Sequence, residues 1–219
     1  MRLPGRRSRC KEELVYPSER KRMEQVAEFA TKAFERHVII QNVSQGLYRH
    51  WRCSRPDSGM YAFNVITEPG RLIVTGDLGE LILCRCPDMV EFVRSAIRDL
   101  HYLSSKAEGT PTHEWSDDVA RDWVDAEVTE IHAEMEADEP LSEESKKKYA
   151  VRLEKYREVR ESIDEGEHSF DHALYESRLT DGCDWPRVRT YSCEFLWIVE
   201  ALRWFLARVP APVQAAEGQ

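Results

Sequence analysis

Apolar and polar positions change period twice along this chain. Between Met23 and Phe34 the residues Met23, Val26, Ala27, Ala30 and Phe34 recur every three or four positions, the spacing of one helix face. From Val38 the period drops towards two. Val38-Ile39-Ile40, then 47–53, 61–66, 71–75 and 80–84 are short runs rich in β-branched and aromatic residues, which suit a pleated, half-buried surface. Turn chemistry separates them: Ser44-Gln45-Gly46, Arg55-Pro56-Asp57-Ser58-Gly59, Pro69-Gly70 and Gly76-Asp77-Leu78-Gly79. Links this short cannot hold parallel crossovers, so the pattern predicts an antiparallel meander of four or five strands. Alternation along 47–53 sets Leu47, Arg49, Trp51 and Cys53 on one face and Tyr48, His50 and Arg52 on the other.

The helical period then returns. Asp88 is a good N-cap with Glu91 three residues on, and Met89, Val90, Val93, Ile97 and Leu100 form one stripe. This predicts a helix over 88–103 lying across a sheet face. A loop is expected at 108–112, followed by helices near 114–137, 142–165, 167–178 and 190–208. The last is apolar nearly all round (Phe195, Leu196, Trp197, Ile198, Val199, Leu202, Trp204, Phe205, Leu206), so it is expected at the buried centre of the helical part. The fold class expected is therefore α+β: a meander of four to five strands flanked by helices, then an all-helical C-terminal part. In segments, 1–22 reads as a basic, flexible leader, and Met23 directly after Arg20-Lys21-Arg22 is a candidate natural start. Residues 23–105 read as helix, sheet and covering helix, 106–210 as a helical part packed on the sheet side, and 211–219 as a flexible tail. The two parts are expected to fold together.

Charge narrows the function classes. The 219 residues carry a net −9, yet residues 1–22 hold eight Lys/Arg against three Glu, leaving −14 on the rest. From Glu108 to Glu144 fourteen acidic residues face Arg121 alone. A body of that sign is unsuited to gripping nucleic-acid phosphates. No run approaches the roughly 18 apolar residues of a membrane span, and the basic leader lacks the apolar core of a secretory signal. The six cysteines (10, 53, 84, 86, 183 and 193) follow no metal-knuckle or disulfide spacing, so reduced thiols in a cytoplasm are expected.

Residues His37 to Arg94 carry a recognisable pattern: His37, the Gly46-Leu47-Tyr48-Arg49-His50 strand, the Pro69-Gly70-Arg71-Leu72 and Gly76-Asp77-Leu78-Gly79 hairpin, Arg85, then Asp88-Met89, Phe92 and Arg94 opening a helix. With the aromatic last helix (Tyr191, Phe195, Trp197, Ala201, Leu202, Trp204), this resembles a family of phage and prophage proteins to which no activity is assigned. Glu68 and Arg71 depart from its usual aromatic residues, and 108–165 matches nothing specific. The resemblance implies phage origin and action inside an infected bacterium. It implies no enzyme.

Four candidate sites follow from residue types and spacing. Asp117, Asp118, Asp122, Asp125 and Glu130 lie on one amphipathic helix between Trp115, Val119, Trp123, Ile131 and Met135. Its negative face either keeps the chain soluble or imitates phosphates for the basic groove of a nucleic-acid-handling host complex. Arg49, His50 and Arg85 form a candidate anion or nucleotide site on the sheet, with internal pairing to Asp77, Asp88 or Glu91 as the plainer reading. Gly76-Asp77-Leu78-Gly79 lacks the Lys and Ser/Thr of a phosphate loop and reads as a tight turn. His168 and His172 stand one helical turn apart, but Ser169 replaces the Glu of the zincin pattern and no third ligand is evident, so no metal is expected. No cysteine has an evident His partner. The function expected is a non-enzymatic inhibitor of a host protein, most simply in counter-defence against a CRISPR or restriction system, needing no cofactor and no membrane. The other reading is an anion-binding protein or small enzyme built on the Arg/His sheet face.

Overall fold

The computed structural model describes residues 15–138, 140–180 and 185–210. The fold is α+β, with seven α-helices and a six-stranded antiparallel sheet among the described residues. In order these are α1 (Pro17–Phe34), β1 (Val38–Gln45), β2 (Tyr48–Arg55), β3 (Ser58–Glu68), β4 (Arg71–Gly76), β5 (Leu81–Cys84), α2 (Met89–Ala96), α3 (Leu100–Ser104), β6 (Ala107–Glu108), β7 (His113–Trp115), α4 (Asp117–Ala137), α5 (Glu143–Ser162), α6 (Glu167–Ser177), β8 (Arg189–Tyr191) and α7 (Cys193–Leu206). Strands β1 to β6 pair in sequence order, while β7 and β8 form a separate two-stranded ribbon. No helix among the described residues is long and apolar enough to cross a membrane. The chain divides into two compact units, one from residues up to 21 plus 115–190, the other from 22–114 plus 191 onward.

In the sheet unit the period-two pattern does what it predicts. Trp51, Cys53, Phe63, Val65, Leu72, Val74, Leu81 and Leu83 are all buried on one face, and α2 and α7 supply the opposing layer within the same core cluster. Helix α7 is thus the cover of the sheet. That corrects the expectation that it centres the helical part: its apolar residues share one core cluster with the strands and with Met89, Val93 and Leu103, and its rings meet Trp51 of β2 and Phe63 of β3. The single helix expected over 88–103 is two. Asp99 takes an extended backbone and accepts the Tyr102 N–H at 2.8 Å, so it caps a new helix rather than continuing the old one. The loop expected at 108–112 starts one residue later than expected, because Ala107 and Glu108 form a sixth strand that pairs with Leu83 and Ile82.

The helical unit packs α4, α5 and α6 around Val119, Trp123, Val124, Ile131, Tyr156, Val159, Ile163, Phe170 and Leu174. Trp123 lies 5.8 Å from the Tyr156 ring and 5.9 Å from that of Phe170. Ser116 and Ser142 cap α4 and α5 by accepting N–H bonds from Val119 and Ser145. Tyr16 belongs to this core, and burial together with the Glu127, Asp122 and Glu19 carboxylates pushes its hydroxyl up to about 12. Such an anchor explains why α1 starts at Pro17, six residues before the expected Met23, so that part of the expected leader is helix. Residues 1–14 of that leader and the expected tail lie outside the described residues.

Two sites in the sheet unit yield stability predictions. At the β4–β5 turn Gly76 has φ +135, and a methyl group there would stand 2.4 Å from the Ala62 carbonyl oxygen. Gly70 also has positive φ but meets nothing within 4 Å. Gly76→Ala should therefore cost about 3 kcal/mol or more, and Gly70→Ala only about 1 kcal/mol, as urea unfolding would read. His37 is buried against Phe34, Phe63 and Trp204 and bonds the Tyr61 carbonyl at 3.0 Å through Nε2. Burial first, then the Arg55 charge, holds its pKa below the ordinary value. The neutral ring is the folded form, so its contribution is intact above about pH 6.5 and is lost as pH falls towards the depressed value. Unfolding midpoints should fall across that window in the wild type and do so less in His37→Gln.

Candidate functional site

The sheet unit places the three anion-site candidates apart. Arg49 points to the inner face, as its alternation with Trp51 requires, and its guanidinium donates to both Asp88 oxygens at 3.4 and 3.1 Å and to the Gly46 carbonyl at 2.6 Å. Asp88 in turn accepts the Val90 and Glu91 N–H groups at the start of α2. With side chains only 17% and 27% exposed, this pair is a lock between β2 and α2. His50 sits on the outer face and bonds Asn64 at 3.2 Å. Arg85 lies exposed just past β5. No single anion reaches Arg49 and His50 across the thickness of the sheet.

What the outer face does assemble is a continuous surface. Cross-strand register aligns Val43, His50, Ile66, Ile73, Ile82 and Glu108 in one row over six strands. Ile40, Arg52, Asn64 and Thr75 form the row on one side. Glu68, Arg71 and Cys84 lie on the other, beside exposed Tyr48. Ile66, Ile73 and Ile82 belong to neither hydrophobic core, and Val38, Ile40, Val43 and Tyr48 are exposed. Arg71 lies 3.9 Å from Glu68 and 3.7 Å from Glu108, a polar margin to the apolar row. Six strands at about 4.8 Å spacing give a patch roughly 24 Å wide. The three isoleucines escape a sequence reading because each strand alone looks like ordinary alternation; only the register, set by the turn lengths, brings them side by side.

The acidic helix is less free than its charge suggests. Within the helical unit Asp117 accepts the Trp115 indole N–H and faces Arg121, Asp118 pairs with Arg121, and Asp125 pairs with Arg160 of α5. Asp122 accepts the Ser18 N–H at 2.9 Å and so caps the first turn of α1. Glu127 accepts the Tyr156 hydroxyl, and Glu134 pairs with Arg152. Of the five carboxylates singled out, Glu130 is exposed and Asp118 keeps 76% of its side chain in solvent despite its partner.

The remaining chemistry is structural where it is described. Cys53 is fully buried, and burial pushes its thiol up to about 12, far from a nucleophile's range. Cys84 is also held above its ordinary value, by burial first and then by Glu108 beside it. Cys10 and Cys183 lie outside the described residues. In the Gly76–Gly79 turn Leu78 is buried in the core while the Asp77 N–H bonds the Ala62 carbonyl, so a hairpin plug is what this segment forms. His168 and His172 are exposed on α6, and no group of three His, Cys, Asp or Glu among the described residues is arranged to hold a metal. No protein-family model matches this chain, and neither the curated proteins nor the solved structures yield a match.

The division between engaged and free carboxylates is testable. Asp122→Ala removes the α1 cap and should lower stability by about 1 kcal/mol, whereas Asp118→Ala and Glu130→Ala should stay within about 0.5 kcal/mol of wild type. Thermal and urea unfolding of the three variants would read this directly.

Proposed function

We propose that this protein is a non-enzymatic binding protein that acts by stoichiometric contact with a host bacterial protein, and that the outer face of its sheet is the contact surface. The observation that carries this reading is the row in which Val43, Ile66, Ile73 and Ile82 stand with His50, its aliphatic members outside both cores and its flanks set by Tyr48, Arg52 and Arg71. Protein interfaces have this anatomy: an apolar centre with aromatic and arginine residues, and a polar rim. The patch, roughly 600 Å² from strand spacing and length, approaches the ~800 Å² each partner gives to a standard interface. The sheet supports the contact better than α4 does, because most α4 carboxylates already serve the helical unit.

The resemblance to phage proteins suggests the setting: the cytoplasm of an infected bacterium, with a CRISPR or restriction complex as target. A stoichiometric inhibitor needs a preformed surface and no reactive group, which suits a chain whose buried cysteine is held protonated. In the competing reading an anion or nucleotide binds the Arg/His face, and the geometry favours it less because Arg49 is committed to Asp88.

Expressed in bacteria carrying such a defence system, the protein should raise the plating efficiency of a targeted phage. Tyr48→Glu with Ile73→Glu should abolish that effect in a folded protein, while Asp118→Lys with Glu130→Lys should preserve it. Binding to the captured target should change little with salt, since apolar contact is not screened as exposed charge is. Protection that survives the sheet variant, or is lost in the acidic-face variant, would move the contact to α4. A thermal shift with nucleotides, about 2.7 kcal/mol at a hundredfold excess over Kd, would overturn the non-enzymatic reading.

A further inference from the structure

The helical unit holds a second surface, of opposite character to its acidic helix. Along α5, Lys147, Lys148, Val151 and Lys155 fall on one side, and with Arg152, one carboxylate, Glu144, and Arg178 and Leu179 just past α6 they line an open groove of about 470 Å³. Val151 is half exposed and forms an aliphatic floor with Leu179. Two of the groove's cations are already committed: Lys155 donates to the Ser177 carbonyl at 2.7 Å, and Arg152 pairs with Glu134. Lys147, Lys148 and Arg178 have no carboxylate within ion-pair distance among the described residues, although the chain as a whole is acidic. Arg178 moreover closes α6 in the left-handed region at φ 52, where glycine or asparagine would sit without strain. Helix termination alone does not select arginine there. A guanidinium that lines the groove at a backbone cost suggests that the cation is used.

The lining limits what the groove takes. It runs along α5 from Glu144 to Lys155, and from Lys147 onward the backbone N–H groups are consumed by the helix, so a phosphate beside the lysines finds no cradle of amides. Among the described residues no aromatic ring lines it to stack a base. What remains is ammonium groups on flexible stems, one guanidinium without a carboxylate partner, an aliphatic floor and the single carboxylate of Glu144, so the lining stays net positive. We infer that the groove docks an acidic peptide segment of a protein partner, an aliphatic side chain resting on Val151 and Leu179 and carboxylates to either side on Lys147, Lys148 and Arg178. An extended peptide repeats side chains on one face every ~7 Å, which suits such a floor between cations. The sheet contact and this groove lie in different units of the chain, so each stands or falls separately.

The test uses the full chain and a fluorescein-labelled peptide of sequence DEDLEDE, followed by anisotropy. Saturable binding is expected, weakening steeply between about 50 and about 300 mM salt. Lys147→Glu with Lys148→Glu should weaken it by roughly tenfold or more, and Val151→Asp should weaken it too. Arg178→Gly should weaken binding while keeping or raising the thermal midpoint, because glycine adopts the left-handed backbone freely. Tyr48→Glu with Ile73→Glu should bind the peptide as wild type does. The inference is overturned if the wild type does not bind the peptide, or if the double lysine variant binds it unchanged. It is equally overturned if ATP or oligo-dT binds the groove more tightly than the peptide, or if Arg178→Gly lowers the midpoint and leaves binding intact.

Discussion

A six-stranded sheet with Trp51, Val65, Val74 and Leu81 in register across one face cannot remain uncovered in water, and almost everything in the sheet unit follows from how that face is closed. Helix α7 closes it with Phe195, Leu196, Ile198, Val199, Leu202, Phe205 and Leu206, and the Trp51 and Phe205 rings meet edge to face at 5.1 Å. Each fully buried side chain of this size contributes about 1.5–3 kcal/mol, so no polar contact in the unit competes with this layer. Because the inner face is spent on folding, any use the sheet has lies on the outer one.

The chain's many charges answer a different need, that of helix ends. Asp88 caps α2 while holding Arg49, and Asp122 caps α1 from another helix. Arg94 donates to the Leu206 and Val209 carbonyls at 3.0 and 2.9 Å, and Lys155 to that of Ser177, so the C-terminal ends of α7 and α6 are met by cations. These placements satisfy orphan backbone groups and the helix dipole at once. A composition that looks like a reservoir of binding charge is in good part scaffolding.

How far the sequence revealed this depended on the range of each interaction. Period and turn chemistry are local, so five strands of the sheet and the main helices could be read with ends off by a few residues. The break at Asp99 went unread because its neighbours Ile97 and Leu100 keep the apolar stripe going. β6 was invisible, being two residues whose only signal is a partner strand more than twenty positions earlier. The apolarity of α7 was plain, but which unit it served was not, because amphipathic pattern names a buried face without naming its cover. The same limit of range applies to the candidate sites. Asp125 and Arg160 are thirty-five residues apart, and the outer isoleucines converge only through register.

The sheet unit is assembled from two stretches, with 115–190 between them. A ribosome adding about 5–20 residues per second needs roughly 4–15 s for that intervening length. The sheet can pair within microseconds to milliseconds of emerging, so its inner face waits for α7 through thousands of its own folding times. During that delay α2 covers only part of the inner face, and the area that α7 closes, around Trp51, stays open to the crowded space around the nascent chain. Synthesis of this molecule therefore favours chaperone attendance, and the pace of translation across the helical unit sets how long the exposure lasts.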